Sequence, residues 1–361
     1  MKKRRHDVSC FLKILQCALW GGKFEQQLSA EEFLWVMALA EQQTLTGLVF
    51  DSLSGQHIGA DRKVVLKYAG KYAKIQRKNQ TANIELQGFV NACHQNSIDM
   101  LVVKGQTIGA LYPNPLLRIS GDIDFLIKED YKDCKSRVEA ALNVKLPDKK
   151  IEKELSFERN KVLYEIHICL ILFGSKRNKN YWKQLMDEMW KEPFYVKVGE
   201  TQVRTLPPTV NAVYLFIHLF FHLIREGVGL RQFCDWAVFL HAYREKIDVE
   251  QLRSILERLG IIKAFRAFGF ILVGDLGLPS SSFPLEITAE DEKWRRIILR
   301  DVFKGGNFGK KNHKAKSTLM FKMETVRLAL RNTFRYYALA PREVGMLIPR
   351  LVGLNLRLLV K

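Results

Sequence analysis

The sequence predicts an α+β protein, with a central unit of mixed strands and helices between an N-terminal and a C-terminal helical region. Three observations predict it. Apolar residues recur at helical spacing over residues 8–97 and again beyond Pro207-Pro208. Short alternating or continuous apolar runs crowd into the stretch between them. Finally, 361 residues with 47% hydrophobic and 26% charged side chains make an ordinary globular composition with ample material for a core. The expected divisions are 1–97, 98–206 and 207–361.

The N-terminus opens with Lys2, Lys3, Arg4 and Arg5, as a signal peptide would. Ser9, Lys13 and Gln16 interrupt the apolar run that should follow, and Phe11, Leu12, Leu15 and Leu19 fall at helical spacing, so the segment reads as an amphipathic helix. Leu34, Met37, Ala38 and Leu45 predict one apolar stripe, and Val65, Tyr68, Tyr72 and Ile75 a second, with a loop at Ser52-Leu53-Ser54-Gly55. Leu101-Val102-Val103 predicts a buried strand that turns at Lys104-Gly105. A helix through Ile108, Leu111 and Tyr112 should follow, halted at Pro113-Asn114-Pro115. Asp122 to Ile127 alternates as a strand, and a polar helix is expected over 130–142. Residues 151–172 and 194–206 supply further alternation before helices resume.

The chain carries 57 Lys and Arg against 38 Asp and Glu, a net charge of +19, which favours polyanionic company: nucleic acid, nucleotides, phosphorylated substrates or an anionic membrane. The excess is concentrated at one end. Residues 295–361 hold 16 Lys and Arg against Asp301, Glu324 and Glu343, which makes the C-terminal region the expected contact for RNA. Six cysteines occur without any C-x-x-C pair, which disfavours a zinc ribbon or a disulfide scaffold and predicts reduced, buried thiols. No run of 18 apolar residues occurs, so no transmembrane span is expected and a cytoplasmic location is.

Chemistry concentrates between residues 101 and 127. Asp122 and Asp124 lie two apart on a strand, so both project from one face while Ile123 and Phe125 face the core. Neighbouring carboxylates repel unless a cation lies between them, and oxygen donors of this kind suit Mg²⁺ together with substrate phosphates. Glu165, between apolar neighbours on the strand Leu163 to His167, is the expected third carboxylate. A solvated strand face accounts equally for a lone D-x-D. Lys104-Gly105 sits where a strand gives way to a helix, with Gly permitting close backbone approach and Lys a point charge for a phosphate; Arg118 is a second cation before the carboxylate strand.

These residues resemble a known family. Lys104-Gly105, then Leu111-Tyr112-Pro113, Arg118, Gly121-Asp122-Ile123-Asp124-Phe125-Leu126-Ile127 and Tyr164-Glu165-Ile166-His167 are similar to the signature of an uncharacterised bacterial nucleotidyltransferase-like family. That family lies in the DNA polymerase β-like nucleotidyltransferase superfamily, whose usual Gly-Ser turn is Lys-Gly here. The spacing also resembles abortive-infection toxin nucleotidyltransferases, some of which act on transfer RNA. The likeness continues through His218-x-x-x-His222, Leu230-Arg231 and Asp235 to Gly305-Gly306-Asn307-Phe308-Gly309.

The resemblance implies a nucleotidyltransferase-type mixed sheet flanked by helical regions. It also implies that Asp122, Asp124 and Glu165 are catalytic and hold Mg²⁺, or Mn²⁺ in its place. Lys104, Gly105, Arg118 and Arg231 would bind a nucleoside triphosphate, ATP by default. His167, His218, His222 and Asp235 would line the substrate cleft. The implied reaction moves a nucleoside monophosphate to a hydroxyl on RNA, protein or a small molecule and releases pyrophosphate. The alternative is an inactive transferase fold that serves as a nucleotide- or nucleic-acid-binding module.

Plainer readings stand beside several of these. His218 and His222 can be packing histidines, since Leu219 rules out the zinc-peptidase pattern. Arg231 and Asp235 can be a surface ion pair. Lys304 to Lys314 can be a solvated loop, and the arginines at 327, 331 and 335 a solvated helix face. The leucines at 347, 351, 354 and 358 can bury against helices or, with Arg350 and Arg357, touch a membrane.

Overall fold

Helix α1 (Val8–Trp20) follows its amphipathic spacing, with Phe11, Leu12, Leu15 and Leu19 buried and Lys13 turned outward. It is the first element of a computed structural model that describes residues 8–55, 58–147, 154–305 and 318–346. Residues 306–314 of the glycine-rich basic stretch and 347–361 of the tail lie outside the described residues. Helix α2 (Ala30–Gln42) begins at a capping box: Ser29 Oγ accepts from the Glu32 amide, and the Glu32 carboxylate accepts from the Ser29 amide at 3.0 Å. Its buried face is Phe33, Val36, Met37 and Ala40, whereas Leu34 is 45% exposed and Ala38 also faces out. The expected stripe is thus turned by one residue, because Phe33 offers the larger apolar side chain and packs edge-on against Tyr68 at 5.8 Å. Helices α3 (Thr46–Ser52) and α4 (Arg62–Gln95) complete the N-terminal helices.

The chain divides into two compact units. The first comprises Ala69–Leu172 and Lys183–Pro207. Its strands are β1 (Met100–Val103), β2 (Asp122–Ile127), β3 (Glu154–Arg159) and β4 (Val162–His167), in the order β1-β2-β4-β3. β1 runs antiparallel to β2, β2 parallel to β4, and β3 antiparallel to β4, giving a mixed sheet. Between β1 and β2 lies α5 (Gly105–Gly109), only five residues long. The expected helix through Leu111 and Tyr112 is therefore cut short at Gly109, a poor helix former; a Cβ there would lie 3.5 Å from Arg118 Cδ. α6 (Tyr131–Leu142) follows β2 where a polar helix is expected.

One face of the sheet is apolar. Ile123, Phe125, Tyr164 and Ile166 are buried there, and Phe89 of α4 packs against Phe125 at 4.6 Å and Tyr164 at 5.5 Å. Each such ring contributes about 2–3 kcal/mol of burial, which holds the strands in register because a slip of one residue would bring the acidic side chains into this layer. β5 (Phe194–Val198) and β6 (Thr201–Thr205) form a separate hairpin.

The second unit comprises Met1–Tyr68, Phe173–Trp182 and Pro208–Lys361. Helix α7 (Lys176–Met189) begins in its middle segment. Five more helices follow the hairpin: α8 (Pro208–Arg225), α9 (Leu230–Tyr243), α10 (Val249–Leu259), α11 (Ile262–Gly274) and α12 (Ala289–Gly305); α13 (Thr318–Tyr336) comes next. α8 is apolar on almost every side, and Phe216 and Phe220 pack among Trp236 of α9 and Phe265 and Phe268 of α11. Such all-round burial marks the central helix of a bundle. Arg335 does not belong to a solvated stripe: it pairs with the buried Asp301, which also accepts from Tyr336 Oη at 2.9 Å. All six cysteines are free thiols; Cys93, Cys134 and Cys234 are buried as expected, whereas Cys10, Cys17 and Cys169 are only half-buried. Among the described residues no helix is long and apolar enough to cross a membrane.

Candidate active site

The parallel pairing of β2 with β4 decides which side chains meet. Asp122 lies opposite Leu163, Asp124 opposite Glu165 and Leu126 opposite His167. Since alternate residues share a face, Asp122, Asp124, Glu165 and His167 stand on the side of the sheet away from the aromatic layer. Single ligand atoms of Asp124, Glu165 and His167 all lie within 4.8 Å of one another.

Asp124 is 3% exposed and accepts two cationic or polar neighbours on one oxygen: Lys104 Nζ at 3.0 Å and His167 Nε2 at 2.7 Å. Burial pushes its carboxyl up, but the Lys104 ammonium and His167 outweigh burial and hold it well below the usual carboxylate range. Glu165 behaves oppositely. Burial, then the charges of Asp124, Asp122 and Glu154, push it up to about 7, with Lys104 opposing. His167 Nε2 lies 4.0 Å from Glu165 Oε2, and Ser156 Oγ donates to Glu165 Oε1 at 3.4 Å.

The turn after β1 delivers the lysine. Val103 pairs with Asp124, so Lys104 leaves the sheet beside that carboxylate. It does so at φ 56° and ψ −142°, a conformation that costs a non-glycine residue about 1–3 kcal/mol. Gly105 follows at φ 44°, and a Cβ on it would lie 3.4 Å from the Asp122 carbonyl oxygen. Arg118 is 4% exposed and donates from Nη1 to Ser120 Oγ at 2.8 Å, while Asn79 of α4 donates to the carbonyls of Leu116 and Arg118 at 2.7 and 2.8 Å. Arg118 therefore braces the approach to β2 from within the fold.

The structure thus brings together Asp122, Asp124, Glu165, His167, Lys104 and Gly105 in the sheet unit, with Arg118 just upstream of them. His218, His222, Arg231 and Asp235 belong to the helical unit. The two histidine rings lie one turn apart on α8, half-buried, with centroids 4.4 Å apart and planes tilted by 54°, and His222 Nδ1 lies 3.5 Å from Glu226. Asp235 is buried on α9 and Arg231 is partly buried.

Two neighbours escaped sequence reasoning. Glu154 and Ser156 of β3 pair with His167 and Glu165, and Glu154 Oε2 comes within 3.6 Å of His167 Nδ1. The signal was the alternation Glu154-Leu155-Ser156-Phe157, which marks a polar face without saying which strand it will meet.

The donor set suits a divalent cation. Asp124 and Glu165 meet beside His167 with ligand atoms close enough to share an ion, and the upward push on Glu165, from burial first and then from the charges of Asp124, Asp122 and Glu154, is one that such an ion relieves. The imidazole, already engaged with Asp124, fits an orienting role behind the carboxylate ligands.

Residues 29–273 match the model of a family described as uncharacterised nucleotidyltransferase. No curated protein matches the chain. Among solved structures, an antigenic nucleotidyltransferase-like protein from Paracoccidioides brasiliensis is similar at 13% identity and a TM-score of 0.29, over 53% of this chain and 90% of that one. With the family match spanning most of its length, and including both carboxylate strands and the turn at Lys104-Gly105, this chain belongs to that uncharacterised nucleotidyltransferase family.

Proposed function

We propose that the protein transfers a nucleoside monophosphate from a nucleoside triphosphate to a hydroxyl acceptor, with Asp122, Asp124 and Glu165 as the catalytic carboxylates. The observation that supports this most is the meeting of Asp124, Glu165 and His167 on one sheet face beside the Lys104-Gly105 turn. Asp122, Asp124 and Glu165 would hold Mg²⁺ or Mn²⁺, which when bound supplies charge neutralisation for the triphosphate and the departing pyrophosphate. The acceptor oxygen bonds to the α-phosphorus as the bond to the bridging β-phosphate oxygen breaks, and pyrophosphate leaves. Glu165, held beside that ion, would help activate the attacking hydroxyl and take its proton. Lys104 places a positive charge where phosphate oxygens gather, and Gly105 lets the backbone approach them. His167 holds the Asp124 carboxylate in one orientation. In this reading Arg118 steadies the strand that carries the aspartates.

Incubation with α-labelled triphosphates, Mg²⁺ and either total RNA or total protein tests the proposal. Label should enter one acceptor class with the wild type. Asp124→Ala should retain its circular dichroism and lose transfer by a thousandfold or more, on the order expected for an electrostatic anchor. Full activity in that variant overturns the assignment. A second reading, a nucleotide-binding module without turnover, has one observation in its favour: Asp124 is already satisfied by Lys104 and His167. Triphosphate binding with no pyrophosphate release in any acceptor mixture would establish it.

A further inference from the structure

From Arg62 to Ile84, most of helix α4, the sequence has seven Lys and Arg and no acid; the first carboxylate is Glu85. Within the sheet unit, Lys71, Lys74 and Lys78 fall inside about 60° of the helix circumference and rise in steps of about 4.5 and about 6 Å along its axis. Lys74 and Lys78 are exposed and Lys71 is half-exposed. The stripe has a fixed end. Lys78 Nζ donates to the Ser120 carbonyl at 3.3 Å, two residues before Asp122, and the adjacent Asn79 ties α4 to the same approach segment. The basic ridge therefore stops beside the start of the carboxylate strand.

We infer that this ridge binds the phosphodiester backbone of a single-stranded nucleic acid and leads its end to the site as the hydroxyl acceptor. The inference rests on the transferase reading above and names its acceptor class. Three lysines in line, with no acid among them for more than three turns of helix on either side of Lys74, are complementary to a chain of phosphates. A nucleic acid terminus is also the acceptor that carries its hydroxyl at the end of such a chain. The site requires a hydroxyl, and the ridge requires repeated negative charge. An acidic peptide offers repeated charge too, but carries its hydroxyls on scattered side chains rather than at the end of the charged chain.

The test is fluorescence anisotropy of the full chain with labelled oligouridylate and oligothymidylate between about 50 and 200 mM salt. Wild type should bind both, with log affinity falling linearly against log salt. Lys71→Gln/Lys74→Gln, on a helix where Gln is as good a former as Lys, should flatten that slope by about 1.4, from about 0.7 for each single-strand phosphate contact removed. The control Lys293→Gln/Arg296→Gln removes the same charge from exposed positions on α12 and should keep the wild-type slope. Equal losses in both variants, an unchanged slope in the ridge variant, or displacement of the label by polyglutamate as readily as by unlabelled RNA would overturn the ridge. Binding is read without triphosphate, so it stands or falls separately from catalysis. If strands bind as expected but wild type never extends them, the ridge is a binding surface and its acceptor role is overturned; extension by wild type and not by Asp124→Ala supports both.

Discussion

Asp124 and Glu165 face one another across two strands and are driven in opposite directions, and this has measurable consequences without any substrate. Asp124 is held below its ordinary range by Lys104 and His167, so its contribution to stability is present above the unfolded value near pH 4 and is lost as pH falls toward its folded value. Glu165 is raised to about 7, so the folded state favours its neutral form, and that part of the stability disappears as pH rises from about 4 through 7. Glu165→Gln should therefore melt above wild type at pH 8 and level with it at pH 4. Scanning calorimetry in chelator checks this; a melt at pH 8 no higher than wild type would show that the carboxylate is not under strain there. Adding Mn²⁺ to wild type at pH 8 should raise its melting temperature, and Asp124→Ala should abolish that rise. The types of the acidic residues and their alternation were legible in the sequence, since a D-x-D strand must put both carboxylates on one face. His167 was named through the resemblance as a cleft residue, but its partner was not, because nothing local states that its ring will lie 2.7 Å from a residue 43 positions away.

Among the secondary elements, local pattern and long-range packing divided the decisions. Strands β1, β2 and β4 and helix α6 stand where alternation and apolar runs place them: β1 is buried along its whole length, as its continuous apolar run demands, and on the others the period sets which side chains face the apolar layer. α5 falls short of its predicted length at Gly109, a poor helix former, and α2 turns by one residue because the size of Phe33 lies outside helix propensity. Gly269 of α11 shows the same limit. A Cβ there would come within 2.0 Å of the Phe283 ring, which is itself buried, so helix and loop meet only because the side chain is absent. Gly269→Ala should cost about 1–3 kcal/mol of overpacking despite the better helix propensity of alanine. Urea denaturation measures this, and the double substitution Gly269→Ala/Phe283→Leu should recover part of the loss. Stabilisation by the single substitution would show that the ring moves aside freely.

Over the whole molecule, sequence-distant segments close the helical unit. Glu343 is 1% exposed and accepts from the amides of Gly174 and Ser175 at 2.8 and 3.3 Å and from Asn178 Nδ2 at 2.7 Å, tying 341–346 to a segment 165 or more residues away. Burial raises its carboxyl and these donors partly restore it. Glu343→Ala takes the acceptor from three donors, of which the buried Ser175 amide is left with none at about 1–3 kcal/mol if unrelieved, whereas Glu343→Gln keeps an acceptor. Thermal melts should therefore rank wild type, Gln and Ala in descending order, and equal melts for Gln and Ala would discount the tie. The excess charge of +19 was equally plain in the composition, but composition does not say which surface presents it. The lysines of α4 align once that helix is wound.

The α+β class, the two carboxylate strands, the Lys104-Gly105 turn and the likeness to a nucleotidyltransferase family were all readable from the order of residues. Backbone sterics and the two-residue period of a strand act over a few neighbours and leave their mark there. Which oxygen meets which nitrogen, and why Glu165 is raised while Asp124 is lowered, were settled by the parallel register of β2 on β4 and by packing on the aromatic layer. Those depend on distances between residues that the chain order does not contain, since electrostatic energy and burial follow separation in space.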